Sequence, residues 1–367
     1  MLLKYGLTRS ATVRVFLFYI FKYPNAIAVA LTDLLELTFN AITGGLELAG
    51  LLKPERKMPE APAQQEQPTT NPAPGFLLCI FERQKTITVN LEQFIERALE
   101  EDVRDGDHST LASIDKDAAG KAVLKIKEPG ILAGMDVARR IFEYLDPSCT
   151  FTAYKKDGEA MQPGEVAFDV LAGIHVILKA ERLVLNIMQR MSGIATLTRQ
   201  YVDQVKGYPA KILDTRKTTP GFRWFEKEAV KIGGGHNHRF GLYDMIMLKD
   251  NHIDFSGGIE KAIERTQTYL QTNGLNLKVE VETRNLDEVK RVLAVGGVDR
   301  IMLDNFDPAT MKQAVQLIDH RYETEASGGI TLDTIAAYAQ TGVDYISVGA
   351  LTHHYVSCDL SLKAQII

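Results

Sequence analysis

The chain has 367 residues, 45% of them hydrophobic, enough to bury a large core, and its 42 basic and 47 acidic side chains leave a net charge of -5. That balance argues against capture of nucleic acid by a field of the whole protein. Three cysteines, Cys79, Cys149 and Cys358, lie far apart without a CxxC pair, which argues against a disulfide framework or a thiolate metal centre and points to a reducing cytoplasm.

In chain order, residues 1–52 read as an apolar N-terminal extension of unknown role. Residues 13–21 are strongly apolar, and 26–52 carry only Asp33, Glu36 and Glu47 as charges. No uninterrupted run reaches the roughly 18–20 apolar residues that a membrane-spanning helix needs, so membrane contact is not expected. Residues 53–85 read as a linker, opening with KPERKMPEAPAQQEQPTTNPAPG, a composition that cannot bury enough apolar surface to fold. The folded part is expected from about Thr86, leaving the first 85 residues as an accessory extension or the product of a start placed too far upstream.

Leu91, Phe94, Ile95 and Leu99 share one face of a predicted helix over 91–102, followed by the turn cluster VRDGDHST, whose side chains can cap or bind. Short strands over 121–127, 131–135 and 165–173, punctuated by Pro129, Gly130, Gly158, Pro163 and Gly164, predict a small α+β domain over 86–190. A long helix is predicted over 174–201. Beyond it one pattern recurs six times: AKILDTRK, MIMLKDN, KVEVET, RIMLDN, YETEASGG and YISVGA. The run ends, Asp214, Lys249, Glu282, Asp304, Ser327 and Gly349, lie 35, 33, 22, 23 and 22 residues apart, room for a crossover helix each time. Apolar strands buried on both faces and joined by helices predict an α/β barrel over 191–352, with its chemistry at the C-terminal strand ends. Residues 353–367 are expected to pack back on the first domain.

The strand ends sort by charge. Arg216, Lys217, Arg223, Lys227, Lys231, His236, His238, Arg239 and Lys249 form a basic stretch, which calls for an anionic ligand with several oxyanions. Arg223, Lys227 and Lys231 are expected to be solvated helix charges, whereas Arg216, Lys217, Arg239 and Lys249 belong to strand ends or to the glycine-bounded loop GGGHNHRFG. A zinc site at His236 and His238 is disfavoured for want of a Cys or a third His nearby. His252 reads equally as a cap or a ligand. Alternation turns Glu280 and Glu282 the same way, both towards the mouth, where with Asp304 they could hold a divalent cation, grip ribose hydroxyls, stabilise positive charge or form a structural salt bridge. The glycine and serine ends, ASGGI and SVGAL, suit phosphate. Together these features point to transfer of a phosphoribosyl group.

The stretches ERLVLNIMQRMSGIAT, DTRKTTPGFRWFEKEAVKIGGGHNHRFGLYDMIMLKDNH, VEVE, LDN, EASGGI and SVGALTH closely resemble the quinolinate phosphoribosyltransferase family of de novo NAD synthesis, from about Leu91 onward. The resemblance implies an α/β open-faced sandwich followed by an incomplete, seven-stranded α/β barrel, here preceded by an extension foreign to the family. It also implies a head-to-tail homodimer whose sites lie between one barrel and the partner's first domain. Arg182 would cross to the partner's site. Thr215, Arg216, Lys217, His238 and Arg239 would bind quinolinate, with Lys249 near the reacting groups. Glu282 and Asp304 would handle ribose and the magnesium of phosphoribosyl pyrophosphate, the metal being held mainly through the pyrophosphate. Ser327, Gly328, Gly329, Val348, Gly349 and Ala350 would hold phosphate, and Lys249, Glu282 and Asp304 would be catalytic. The rival readings are a paralogous phosphoribosyltransferase of the molybdate-transport-associated type, a barrel lyase or epimerase acting on a sugar phosphate, and a non-catalytic phosphoribosyl-pyrophosphate sensor.

Overall fold

The structure, a computed structural model, describes residues 91–365. The expected extension and the whole of the expected linker therefore lie outside the described residues, as does Cys79. Helix α1 (Leu91–Asp102) buries Ile95 and sets Phe94 against Phe225, ring centroids 4.6 Å apart. Asp107 caps α2 (His108–Ser113) by accepting from the Thr110 amide, so the turn cluster acts as a cap.

An antiparallel sheet follows, built from β1 (Ala119–Ile126), β3 (Thr150–Ala153), β5 (Val166–Gly173) and β12 (Leu360–Gln365) in the order β12-β1-β5-β3. A small ribbon, β2 (Gly130–Ile131) with β4 (Ala160–Met161), stands apart from it. Alternation gives the sheet two unlike faces. Ala122, Leu124 and Ile126, with Phe168 and Val170, are buried in the core that they share with α3 (Met135–Leu145) and α4 (Ile174–Gln204). Lys125, Leu171 and Lys363 are exposed, and Lys121 pairs with Asp169 at 2.8 Å.

Among the described residues, six parallel strands make the second sheet: β6 (Lys211–Leu213), β7 (Ile246–Leu248), β8 (Val279–Thr283), β9 (Arg300–Asp304), β10 (Glu323–Ser327) and β11 (Tyr345–Ser347), in the order β6-β11-β10-β9-β8-β7. Helices fill every crossover: α5 (Arg223–Ile232), α6 (Asp250–Ser256) with α7 (Ile259–Asn273), α8 (Leu286–Val295), α9 (Pro308–Ile318) and α10 (Ile335–Ala339). A last short helix, α11 (Ala350–His353), follows β11. The seven-stranded expectation is corrected in one respect. The seventh position, beside β6, is a single parallel bridge between Leu213 and His236, because glycines 233–235 leave only one residue extended before the loop turns away. The boundary expected between 190 and 191 falls inside the 31-residue α4, whose buried side chains join the common core. No described helix is long and apolar enough to cross a membrane.

Candidate active site

Asp214 follows β6 and is fully buried. Its carboxylate accepts from Lys227 Nζ and, at 2.8 Å, from the His238 amide; Lys227 also donates to the His238 carbonyl at 3.1 Å. Burial pushes the Asp214 carboxyl up, to about 6, against the opposing charge of Lys227, and burial lowers the Lys227 ammonium in turn. Lys227 is thus no solvated helix charge. With α5 packed on α4, the lysine meets an aspartate 13 residues earlier and pins the loop that carries His238 and Arg239. Arg223 also serves the loop, donating to the Phe240 carbonyl and to Thr218 Oγ1, each at 2.9 Å. Lys231 is exposed, paired with Glu228 at 2.6 Å.

The strand ends enclose a cavity of about 820 Å³. Thr215, Arg216, Lys217, His238, Arg239, Lys249, Glu282, Asp304, Ser327, Gly328, Gly329, Val348, Gly349 and Ala350 all line it; Arg182 and His236 do not. On the basic side Arg216 has a buried Nε without a hydrogen-bond partner. Arg239 is buried, and its Nη1 donates to the Met245 carbonyl at 3.2 Å. Burial, with the Arg216 charge close by, presses the Arg239 guanidinium below its usual range. Two guanidiniums that repel each other in a cavity lower their energy when an anion enters.

His238 sits at the floor of this side. Its Nε2 lies 3.0 Å from Glu280 Oε2 and 3.3 Å from Glu325 Oε2. Burial opposes its charge, but the two carboxylates outweigh that and hold it up, to about 9. The Arg239 amide donates to Nδ1 at 2.6 Å, which requires a bare nitrogen there, so one proton sits on Nε2 and a second needs that contact to open. Glu280, expected at the mouth, does point inward with Glu282, but it lies one pleat deeper and is fully buried. Burial and the Glu325 charge push its carboxyl up.

Opposite, Lys249 Nζ stands 3.9 Å from Glu282 Oε2. Burial, then the charge of Asp304, raises the Glu282 carboxyl. Two converging carboxylates of this kind suit a hard divalent cation or developing positive charge. His252 is a cap, its Nδ1 accepting from the Lys249 amide at 3.0 Å. Asn305, at φ 56°, donates to Asp304 Oδ2 at 2.6 Å and from its amide to the Ser327 carbonyl. Gly328, at φ 100°, lies so close that a Cβ there would meet Asn305 Oδ1 at 2.2 Å. A Cβ on Gly349 would meet His353 Nε2 at 2.9 Å. These bare backbones let an oxyanion approach closely.

Comparison with known proteins places the chain. Residues 107–192 match the quinolinate phosphoribosyl transferase N-terminal domain and residues 194–363 the C-terminal domain. The chain belongs to the quinolinate phosphoribosyltransferase family. It is 47% identical over 291 residues to the chloroplastic nicotinate-nucleotide pyrophosphorylase [carboxylating] of Arabidopsis thaliana, covering 75% of this chain and 83% of that one. It is 42% identical over 278 residues to the probable nicotinate-nucleotide pyrophosphorylase [carboxylating] of Bacillus subtilis, covering 76% and 94%. The crystal structure of NadC from Streptococcus pyogenes superposes with a TM-score of 0.72 at 40% identity, over 76% of this chain and 97% of that chain.

Arg182, expected to cross to a partner's site, is exposed on α4 and does not line its own chain's cavity. Among the cavity residues missed in the sequence are Asn305, Glu325, His353 and His354. Asn305 and the histidines directly follow run ends in LDN and SVGALTHH, so adjacency was the available signal. Glu325 sits within its strand and offered none.

Proposed function

We propose that this quinolinate phosphoribosyltransferase joins quinolinate to the phosphoribosyl group of phosphoribosyl pyrophosphate, releasing carbon dioxide and pyrophosphate and yielding nicotinate mononucleotide for NAD biosynthesis. The observation that carries this reading is the pair of uncompensated guanidiniums, Arg216 and Arg239, facing the Glu282–Asp304 carboxylates across one cavity. A dicarboxylate needs the first side, since burying each unpaired charge costs several kcal/mol. An anomeric carbon losing pyrophosphate needs the second. The pyridine nitrogen of quinolinate donates its pair to that carbon as the bond to the pyrophosphate oxygen breaks. Glu282 and Asp304 stabilise the positive charge that develops between. The ribosylated ring, now cationic, accepts the electron pair left when the adjacent carboxylate departs as carbon dioxide, and a proton then takes that position. Lys249 offers its ammonium beside this change, and Ser327, Gly328, Gly329 and the 348–350 backbone hold phosphate.

Glu282 and Asp304 would also help hold magnesium, bound chiefly through the pyrophosphate. Magnesium supplies neutralisation of the charge gathering on the leaving group. We assign a homodimer with shared sites because Arg182 is exposed on α4, and the cytoplasm because both described cysteines, Cys149 and Cys358, are free. A Schiff-base lyase finds less support, since Lys249 is half-exposed beside a carboxylate. Purified protein given quinolinate, phosphoribosyl pyrophosphate and magnesium should release carbon dioxide and pyrophosphate in equal amounts, measured by trapped label and a coupled phosphate assay. Turnover of nicotinate but not of quinolinate overturns the assignment.

A further inference from the structure

Two buried carboxylates beneath a cavity built for a dianion need a reason. Glu280 and Glu325 are both fully buried, and left uncompensated they would repel the acceptor that Arg216 and Arg239 attract. For Glu325 the compensation is visible, whereas neither Glu280 oxygen has a hydrogen-bond partner among the described residues. Arg300 Nη1 donates to Glu325 Oε2 at 2.8 Å, while its Nη2 and Nε reach Glu323 Oε2 at 3.0 and 3.3 Å. The guanidinium also lies 4.0 Å over the Tyr345 ring, and the Tyr345 hydroxyl meets Glu323 Oε1 at 3.2 Å. From the strand starts of β9, β10 and β11, charge therefore alternates up the barrel interior through Glu323, Arg300 and Glu325 to His238.

At the top of this chain the ring has a neighbour on each side: Nε2 lies at ion-pair distance from Glu280 and Glu325 without a well-formed hydrogen bond, and Nδ1 accepts from the Arg239 amide. The ring thus couples the buried acids to the backbone of a carboxylate-binding arginine. His238, Glu280 and Glu325 are close enough together to suggest a metal site, but the Arg300 guanidinium already supplies the cation at Glu325. We propose that Glu325, braced by Arg300, is a positioning residue for the acceptor: it holds His238 in one tautomer and orientation, and His238 in turn places Arg239 against the substrate carboxylate. The inference rests on the quinolinate reading given above. Such a network is costly to bury, and its return is orientation rather than stability.

Glu325→Gln should raise KM for quinolinate about tenfold while moving KM for phosphoribosyl pyrophosphate less than about twofold, since only the acceptor side loses its support. In a His238→Gln background the same substitution should add almost nothing, because a residue that acts through His238 has nothing left to hold. Parallel rises in both KM values, or losses that multiply in the double variant, overturn the proposal. If Glu325→Gln does not fold, Glu280→Gln removes the other contact to Nε2 while leaving Arg300 its partner, and must give the same split. Imidazole 15N shifts of ligand-free protein provide a readout independent of the acceptor. Above about pH 9, where the imidazole is neutral, His238 should be held as the Nε2–H tautomer in wild type and become a tautomer mixture in the variant; an unchanged spectrum counts against the idea. Inactivity of wild type on quinolinate, together with that spectral change between wild type and variant, would overturn the functional reading alone.

Discussion

His238 is the residue through which pH should reach the whole protein. Glu280 and Glu325 hold its charged form against burial, up to about 9 from an ordinary value of 6.5. A raised histidine contributes stability that is fully present below the unfolded value and is lost as pH rises through the folded one. The window is therefore about 6.5 to 9, and the loss is on the order of 3 kcal/mol. Glu280, pushed up by burial and by Glu325, acts in the same direction. Urea unfolding at pH 6.5 and 9.5 should show wild type weakening across that interval and His238→Gln weakening much less; equal slopes would remove His238 as the cause. Little of this was legible beforehand. Arg216, Arg239 and Glu282 sit beside run ends and reveal themselves by position, whereas Glu325 lies within YETEAS, whose polar residues look like a surface. The partners that make Lys227 and Glu325 structural lie 13 and 25 residues away and meet them only once the strands are paired.

Among the elements, α4 bears the greatest packing constraint, because two layers share it. The Gln189 side-chain Nε2 donates to the Leu360 carbonyl at 3.0 Å, and the Gln189 carbonyl accepts from the Cys358 amide at 3.1 Å. One turn on, Gly193 lets the returning chain touch the helix: a Cβ there would lie 2.1 Å from the Val356 carbonyl oxygen. Alanine would favour the isolated helix by about 1 kcal/mol, but overpacking against backbone costs about 1–3 kcal/mol or more. Gly193→Ala should therefore destabilise by about 1–2 kcal/mol in chemical denaturation, with the slope unchanged. A neutral or stabilised variant would mean that the tail does not rest on α4. The helix was readable from its apolar period, and the parallel strands from their continuous apolar runs. The single bridge at His236 was not, since one extended residue after three glycines carries no periodicity.

For the whole molecule, the decisive geometry is the placement of Arg182. It is exposed on α4, outside the cavity that holds the rest of the expected substrate-binding set. If two chains exchange this side chain, each site takes Lys249 from one and Arg182 from the other, and defects on different chains can complement. Arg182→Ala and Lys249→Ala homodimers should each be nearly inactive, since every site lacks one group. Equal mixing with free exchange makes half the dimers hybrid. One site of each hybrid has both groups intact and the other has neither, so about a quarter of wild-type activity should return. The level should rise with the hybrid fraction, read by native mass of differently tagged subunits. Sites confined to one chain would give no recovery however completely the subunits exchange. That result would leave the chemistry of the cavity untouched and remove only the partner's share in it.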